Sequence, residues 1–391
     1  MSEISSKEVA RLWGISQRRV QVYCAEGRIP GARRVGHMWM IPSEVSKPVD
    51  PRLASKEKES HYWPNFFLLD STIMQMDSVQ QMIDSTTDNL QRKQLIGEIA
   101  YIQGNYQKAA GCIDGVRDDS PGYLHALAIS TAAKIGLGDL KAFQSTWNKL
   151  KELRHRHSDT PGICRMVELV QGLLALSAYV PENCPDWILK GVFNNLPDAS
   201  RPMALYLRAK GMLALGQIKE LISTAEATLS FSSSSGSGIQ DVYLYIILAH
   251  GYVYLKKMDK AYNALLYAVN ICLPKAFISP VAESISSLLG IGERCLKKAY
   301  PQFQSPVLSL HRQISPSWLK IHNMLTHKNI TSLLTRREYQ VALSVVGGFS
   351  NHECAARLGI SDSTVKGHLQ SVYQKLNISS RKALKQFIIS A

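Results

Sequence analysis

The sequence predicts a mainly α-helical protein in which an array of helix pairs is flanked by a helix-turn-helix unit at each end. Three observations favour this fold class. The same helix-glycine-helix pattern occurs near both termini, helix pairs with small residues at their crossings recur through the middle, and basic residues are concentrated at the two ends. A chain of 391 residues is also too long for one ordinary core, which favours several domains.

Near the N-terminus, Ser5–Ala25 predicts two short helices joined by a tight turn. Gly14 stands where the first helix must end in a left-handed residue, and Ser16 can cap the second helix. Ala10 lies four residues before this glycine and Val20 lies six after it. A small residue and a buried valine at these positions allow two helices to cross closely, which indicates a helix-turn-helix.

The residues after this helix pair predict a small β-hairpin, because Arg34-Val35 and Met38–Ile41 flank the turn Gly36-His37. With the turn Gly27–Gly31, the stretch Ile4–Pro48 resembles the winged helix-turn-helix of MerR- and excisionase-type DNA-binding domains. We assign residues 1–50 to this unit. Arg18 and Gln21 are expected at base edges, Arg19 at a phosphate or in packing, and the wing at the backbone or minor groove. The candidate DNA contacts of this unit are Gln17, Arg18, Arg19, Gln21, Arg34 and His37.

A polar linker at 51–61 precedes a long middle, 62–304, that predicts stacked helix pairs. In Gln94–Ile113, small residues surround a turn at Gly104-Asn105, and similar patterns follow at a spacing of roughly 35–45 residues. This spacing is typical of tetratricopeptide-like pairs in a solenoid with a concave face. The later turns are expected at Gly138-Asp139, Gly216-Gln217 and Lys256–Asp259.

The prolines between Pro301 and Pro316 predict a second boundary, and we assign 305–332 to a connector. Beyond it, the N-terminal pattern occurs again around Gly359. Ala355 lies four residues before this glycine and Val365 six after it, so one physical interpretation covers both ends of the chain.

Residues 333–391 resemble the four-helix LuxR/GerE-type DNA-binding domain. The chain departs from that pattern at Gln340, where the family usually has glutamate, and at Cys354, where it usually has isoleucine. The resemblance implies a homodimer contact through the last helix, at Ala383, Leu384 and Phe387. The matching residues are Leu334-Thr335, Arg337-Glu338, Val341, Gly348, Ser350-Asn351, Glu353, Ala355, Leu358, Ile360-Ser361, Thr364-Val365-Lys366, His368, Lys375-Leu376 and Arg381.

The second helix of this C-terminal pair is expected in the major groove of DNA. Helical phase from the expected core residues Val365 and Leu369 places Ser363, Lys366, Gly367 and Gln370 outward. Lys366 can donate to guanine or phosphate, Gln370 can pair with adenine, and the resemblance also implies base reading from these positions. Gly367 either allows a close approach of the groove floor or leaves a thymine methyl unread. The candidate phosphate contacts are Thr335, Asn351, Thr364, Lys375 and Arg381.

The charge distribution supports a polyanionic partner. The chain carries a formal net charge of +14. Residues 328–391 contain nine basic and three acidic residues, and residues 1–48 contain eight and four. Neither CxxC pairs nor a long apolar span occurs, which favours a reduced cytoplasmic protein without a metal site or membrane segment. The motifs GxxxxGK[ST], HExxH and GxSxG are missing, so we expect no cofactor and no enzyme.

Together these features predict a bacterial, sequence-specific transcriptional regulator that binds double-stranded DNA and whose helical middle senses an effector or docks a partner. The combination resembles a shortened relative of the MalT-like regulators. The alternative is a tetratricopeptide-like adaptor whose terminal units serve assembly. One measurement, the salt dependence of binding to duplex DNA, separates the two hypotheses, because binding to DNA phosphates must weaken steeply as the salt concentration rises.

Overall fold

The computed structural model describes residues 3–36, 38–48, 67–232, 237–285, 287–288, 290–326, 334, 336–376 and 378–387. The chain forms two compact units, 1–60 and 61–391, which are described separately. Among the sequence predictions, His37, Thr335, the linker 51–61 and the side chain of Phe387 lie outside the described residues.

The described part of the N-terminal unit contains two helices and a three-stranded antiparallel sheet with the strand order β1-β3-β2. The predicted hairpin is present, with Arg34 opposite Trp39. The outer strand β1 was not predicted, because three residues are too few to show an alternating pattern. The elements are β1 Glu3–Ser5, α1 Ser6–Trp13, α2 Gln17–Ala25, β2 Arg33–Val35 and β3 Met38–Pro42.

The turn between α1 and α2 has the predicted geometry. Gly14 is left-handed with φ 63° and closes α1, and the amide of Ile15 donates to the carbonyl of Ala10 at 3.0 Å. Ser16 caps α2 by accepting a hydrogen bond from the amide of Arg19. Val20 is fully buried beneath the crossing. The expectation drawn from these small and branched residues is therefore confirmed for the turn itself.

The described part of the larger unit is helical. Short 3-10 helices lie at Gly111–Ile113, Pro181–Asn183, Asp198–Ser200 and Leu273–Lys275. The α-helices are α3 Ser71–Met74, α4 Val79–Asp84, α5 Asn89–Ile102, α6 Tyr106–Ala110, α7 Tyr123–Gly136, α8 Lys141–Arg156, α9 Pro161–Ser177, α10 Asp186–Lys190, α11 Arg201–Ala214, α12 Ile218–Ser232, α13 Ile239–Tyr254, α14 Met258–Cys272, α15 Ser279–Ser284, α16 Ile291–Ala299, α17 Pro301–Thr326, α18 Arg336–Val346, α19 Asn351–Leu358, α20 Asp362–Leu376 and α21 Arg381–Phe387. None of the described helices combines the length and the apolar character needed to cross a membrane.

The turns predicted between helices share one backbone geometry. Gly104, Gly138 and Gly216 have φ values of 84°, 98° and 73°. At the fourth turn Lys256 has a φ of 59°, although a side chain disfavours this left-handed region. The amide of the next residue, Lys257, donates to the carbonyl of Tyr252 at 2.8 Å, as in the glycine turns. The four turn positions are confirmed, and the lysine is the exception among them.

Small residues allow close crossings within the array, as predicted. A Cβ built at Gly97 would come within 2.3 Å of the Cβ of Cys112. At Gly211 a Cβ would lie 2.4 Å from Leu189. These distances are too short for any side chain, so the glycines are required by packing rather than by backbone conformation.

The proline-rich stretch does not interrupt the chain as predicted. Residues Pro301–Thr326 form the single 26-residue helix α17, with Pro306 and Pro316 inside it. Both prolines are exposed, so their rings lie away from the core side of the helix. The opposite side of the helix is buried, with Leu310 and Ile314 in the core. The expected connector therefore begins inside a helix of the array, because the apolar spacing outweighs the prolines.

Helix α17 covers the ends of three earlier helices. Leu310 packs where α5 ends, 2.8 Å from a Cβ built at Gly104, and Ile314 lies 3.4 Å from one built at Gly136, the last residue of α7. Nδ1 of His322 lies 2.9 Å from the carbonyl oxygen of Ala178, just beyond α9. These three helix ends are therefore covered by a later helix of the same chain.

The array also closes on itself. The hydroxyl of Ser279 donates to the carbonyl of Tyr101 at 2.6 Å, and the Tyr101 hydroxyl donates to Glu283 at 2.7 Å. These residues are about 180 positions apart in the chain. In a linear solenoid each repeat contacts only its neighbours, so the structure differs here from the predicted architecture.

Candidate nucleic-acid interface

The C-terminal corner between α19 and α20 has nearly the same geometry as the N-terminal one. Ser350 and Glu353 form a reciprocal capping box at the start of α19. Gly359 ends the helix with φ 63° and ψ 40°, and the amide of Ile360 donates to the carbonyl of Ala355 at 3.1 Å. This arrangement sets α20 across α19 with its first turn free to meet a ligand.

The outward face of α20 is exposed. Val365 and Leu369 are buried, which confirms the helical phase used in the prediction. A Cβ at Gly367 would find nothing within 4 Å, so this glycine is not required by packing within the chain. Contact of this face with DNA remains a prediction. The side chains or positions that the structure leaves exposed are Ser363, Thr364, Lys366, Gly367 and Gln370.

Two predicted phosphate contacts are brought together at the surface. Nη2 of Arg381, at the start of α21, donates to Oδ1 of Asn351, at the start of α19, at 2.8 Å. Thr364 lies at the start of α20, where its hydroxyl is 2.8 Å from that of Ser361. Three helix N-termini thus carry polar groups that could meet a phosphate backbone.

Lys375 differs from the other predicted phosphate contacts because it already has an ion-pair partner. Its ammonium lies 2.7 Å from a carboxylate oxygen of Glu338, whose side chain is only 6% exposed. The hydroxyl of Ser371 donates to the other oxygen of the same carboxylate. The ion pair between Lys375 and Glu338 therefore joins α20 to α18. The sequence offered no signal for this pair, because the two residues are far apart in the chain.

The predicted dimer contact through the last helix stays a prediction. Leu384 is fully buried in the core of its own chain, so its side chain is not available to a second copy in this arrangement. Ala383 is half-buried. Helix α21 packs against α18. The sequence shows that the helix has an apolar side but not which surface covers it.

In the N-terminal unit the candidate DNA contacts differ in their exposure and in their contacts within the unit. Arg18 and Arg34 are exposed, on α2 and β2 respectively, and Gln21 is half-buried. Gln17 is exposed, although its amide nitrogen lies within 3.3 Å of the Ser6 hydroxyl.

Arg19 is engaged with the core of the same unit. Its guanidinium carbon lies 5.1 Å from the centre of the Tyr23 ring, and its Nε donates to the Tyr23 hydroxyl at 3.3 Å. Packing on an aromatic ring is therefore its role in this structure, one of the two roles that its position in the sequence allows.

The C-terminal domain is docked on the helical array through α19. The ammonium of Lys256 lies 3.3 Å from Glu353. The guanidinium of Arg357 stacks 3.3 Å from the centre of the Phe349 ring, and its Nη2 lies 3.3 Å from the sulfur of Met258. These contacts involve the first helix of the pair and leave the outward face of α20 exposed.

A close backbone approach completes this docking. Gly290 starts α16 with a φ of 85°, and a Cβ built on it would lie 2.7 Å from the carbonyl oxygen of Arg357. Both the conformation and the space therefore favour glycine at this position.

The electrostatics of α19 follow from its cap and its docking. Hydrogen bonds from the backbone and side chain of Ser350 lower the pKa of Glu353 to about 2, and Lys256 adds to the effect. Burial lowers the pKa of Arg357. Glu353 is thus a carboxylate at every physiological pH and keeps its ion pair with the array.

A glycine corner that sets an exposed helix across a capped one defines the helix-turn-helix class of DNA-binding domains. Residues 332–388 match the family described as GerE, bacterial regulatory proteins of the luxR family. The C-terminal part of the chain is thus a LuxR-type domain, as the sequence predicted.

The chain is also similar to larger regulators over a short region. It is 42% identical over 67 residues to the HTH-type transcriptional regulator MalT of Vibrio campbellii, a match that covers 16% of this chain and 7% of the relative. The MalT of Vibrio cholerae is 41% identical over 71 residues, covering 17% of this chain and 8% of that protein. The chain therefore spans less than a tenth of the length of these relatives. No solved structure matches it.

Proposed function

We propose that this chain is a sequence-specific transcriptional regulator that binds double-stranded DNA through α20. The observation that carries the proposal is the exposed face of α20 within a domain that matches the luxR family. Lys366 and Gln370 are the base-reading residues, and Gly367 lets the helix approach the groove floor. The relatives named as HTH-type transcriptional regulators support the same assignment.

The N-terminal unit is proposed as a second DNA-binding unit of the winged helix-turn-helix kind. Its capped helix pair, its hairpin and the exposed Arg18 and Arg34 support this role. Residues 328–391 and 1–48 together hold most of the net positive charge, which favours contact with phosphates at both ends. The helical array between them is proposed to sense an effector, and a homodimer would present two copies of each unit.

The test begins with selection of bound duplexes from a random library by the full-length chain. The variants Lys366→Ala and Gln370→Ala should each cost about 1–3 kcal/mol of binding free energy and relax the preference at one base pair. Lys151→Ala removes an exposed lysine from α8 of the array and serves as the matched control. Its affinity for the selected duplex should stay within about twofold of the parent.

The salt dependence separates this proposal from an assembly adaptor. Affinity for the selected duplex should fall linearly on a double logarithmic plot against salt, with a slope that reflects the number of phosphates contacted. If no duplex is bound in a salt-dependent way, or if both variants on α20 bind as the parent does, the proposal is wrong and the adaptor hypothesis gains support.

A further inference from the structure

A cavity of about 320 Å³ lies inside the larger unit, where α9, α11, α13, α15, α17 and α18 meet. Its volume falls in the range of small-molecule sites. Tyrosine side chains from different helices line it, among them Tyr206 and Tyr243 from the array. Tyr339 and Gln340, which also line it, belong to the C-terminal domain. The cavity is therefore lined jointly by the array and the LuxR-type domain.

Lys210 places a positive charge in this cavity. Its ammonium lies 5.7 Å and 5.8 Å from the ring centres of Tyr179 and Tyr206, and it is 3.4 Å from the hydroxyl of Ser177. Among the described residues, Lys210 forms no ion pair with a carboxylate. Burial lowers the pKa of Lys210 to about 8, while Glu283 opposes the change. The fold thus desolvates an ammonium without giving it a close anion.

Several other polar groups that line the cavity are engaged or neutral. Glu283 accepts a hydrogen bond from the Tyr101 hydroxyl at 2.7 Å, and burial raises the pKa of Glu283. His250 is buried, its Nε2 lies 3.0 Å from the Ser287 hydroxyl, and burial lowers its pKa to about 4. Near pH 7 this histidine is neutral. Arg312 also lines the cavity but is exposed, so Lys210 is the cation that lies beside the tyrosine rings and would attract an anionic group there.

Tyr179 shows that the cavity wall is maintained against local backbone preference. It has a φ of 53°, and the amide of Val180 donates to the carbonyl of Ala175 at 2.9 Å, as in the glycine turns. A residue with a side chain is disfavoured in this left-handed region. Glycine would fit the turn better but would remove one of the rings that face Lys210.

We propose that this cavity binds a small molecule with an aromatic or apolar body and one acidic group, which is held by Lys210 between the tyrosine rings. Tyr339 links the site to the DNA-binding domain, so occupancy shifts the affinity for DNA. The second statement rests on the proposed function, whereas the first does not.

Calorimetry with two probes of similar shape tests the site. The anion 2-naphthoate should bind the full chain, and the neutral 2-naphthylmethanol should bind at least about tenfold more weakly, a difference of about 1.4 kcal/mol. Lys210→Met keeps the length and removes the charge. It should remove that preference while leaving the affinity for the alcohol unchanged.

The same titrations can overturn the site. The assignment is wrong if 2-naphthoate binds more weakly than about 1 mM, if both probes bind equally, or if Lys210→Met leaves the preference intact. Thermal melting of the variant shows whether it is folded. Because the ammonium of Lys210 is half-buried and has no carboxylate partner, its replacement should not lower the melting temperature.

Two further measurements test the link to the DNA-binding domain. Amide hydrogen exchange in α18 should slow when 2-naphthoate is bound, and the affinity for the selected duplex should change at least about threefold in the parent and not in Lys210→Met. If DNA binds but neither quantity responds to the probe, the coupling is refuted and the proposed function stands. If no duplex binds, the proposed function fails while calorimetry and exchange still decide on the cavity.

Discussion

The two helix-turn-helix corners of this chain have almost the same backbone but different surroundings. Gly14 has φ 63° and ψ 36°, and Gly359 has φ 63° and ψ 40°. At the N-terminus the second helix, α2, has nine residues and leads to a small sheet; at the C-terminus α20 has 15 residues and its partner α19 docks on the array. Short-range sequence rules therefore specify the corner, while tertiary partners decide which cations remain available.

The largest expected effect concerns Lys375, whose ammonium is paired with a buried carboxylate of its own domain. Lys375→Met leaves the buried carboxylate of Glu338 without its ammonium, and should reduce the free energy of unfolding by about 1–3 kcal/mol after allowance for the exposure of Lys375. Arg18→Met, at the exposed cation of the N-terminal corner, should change it by less than about 0.5 kcal/mol. Urea denaturation followed by circular dichroism measures both. Equal effects would contradict the contrast between the corners.

Gly14 and Gly359 allow a direct test of whether the two turns are equivalent. Gly14→Ala and Gly359→Ala both place a side chain in the left-handed region, and neither Cβ would meet an atom within 4 Å. Each should therefore cost about 1–2 kcal/mol from conformation alone, and the two values should agree within about 0.5 kcal/mol. Thermal denaturation of the full chain compares them. A much larger cost at one corner would show that a contact, rather than the turn, determines that glycine.

A smaller change in the free energy of unfolding, of opposite sign, is expected at Gly367. This residue has a helical backbone, and a Cβ built on it would lie in open space. Gly367→Ala should stabilise the chain by about 0.5–1 kcal/mol, because alanine loses less backbone entropy in a helix. If the groove floor approaches this position, the same variant should weaken binding to the selected duplex. Unchanged or stronger DNA affinity would refute the proposed role of the glycine.

The smallest expected effect is a difference in pH dependence between the two capping boxes, which are Ser350 with Glu353 and Ser5 with Glu8. The fold lowers the pKa of Glu353 to about 2 from an ordinary value of 4.5, so its stabilising contribution is complete above pH 4.5 and disappears as the pH falls through 2. The pKa of Glu8 in the N-terminal box is also lowered, by its hydrogen bonds with Ser5. Titration followed by carboxyl NMR signals should show the lower midpoint for Glu353. Lys256→Met should bring that midpoint closer to the Glu8 value.

The local parts of the fold could be predicted from sequence because each depends on neighbouring residues. Ser350, Gly359 and Val365 specify a cap, a turn and a core position within 16 residues of one another. The array turns at Gly104, Gly138 and Gly216 follow from the same chemistry. The helical phase of α20 was predictable for the same reason.

The contacts that sequence reasoning missed join residues far apart in the chain. The pairs Glu338 with Lys375 and Tyr101 with Glu283 have no local signature, and the buried position of Leu384 depends on α18. Helix α17 shows a different limit, because prolines on its exposed side do not stop a helix whose opposite side packs well. One signal was available: Lys256 replaces glycine at a repeated turn and marks the docking surface.

The closure between Tyr101 and the Ser279–Glu283 segment has a consequence for how the array unfolds and evolves. A stack with two free ends can fray, or gain and lose a unit, without disturbing the remaining units. Here removal of any helix pair between Tyr101 and Ser279 would move apart two segments that contact each other. We therefore expect the array to melt in one cooperative step, and its repeat number to be fixed by the geometry of closure.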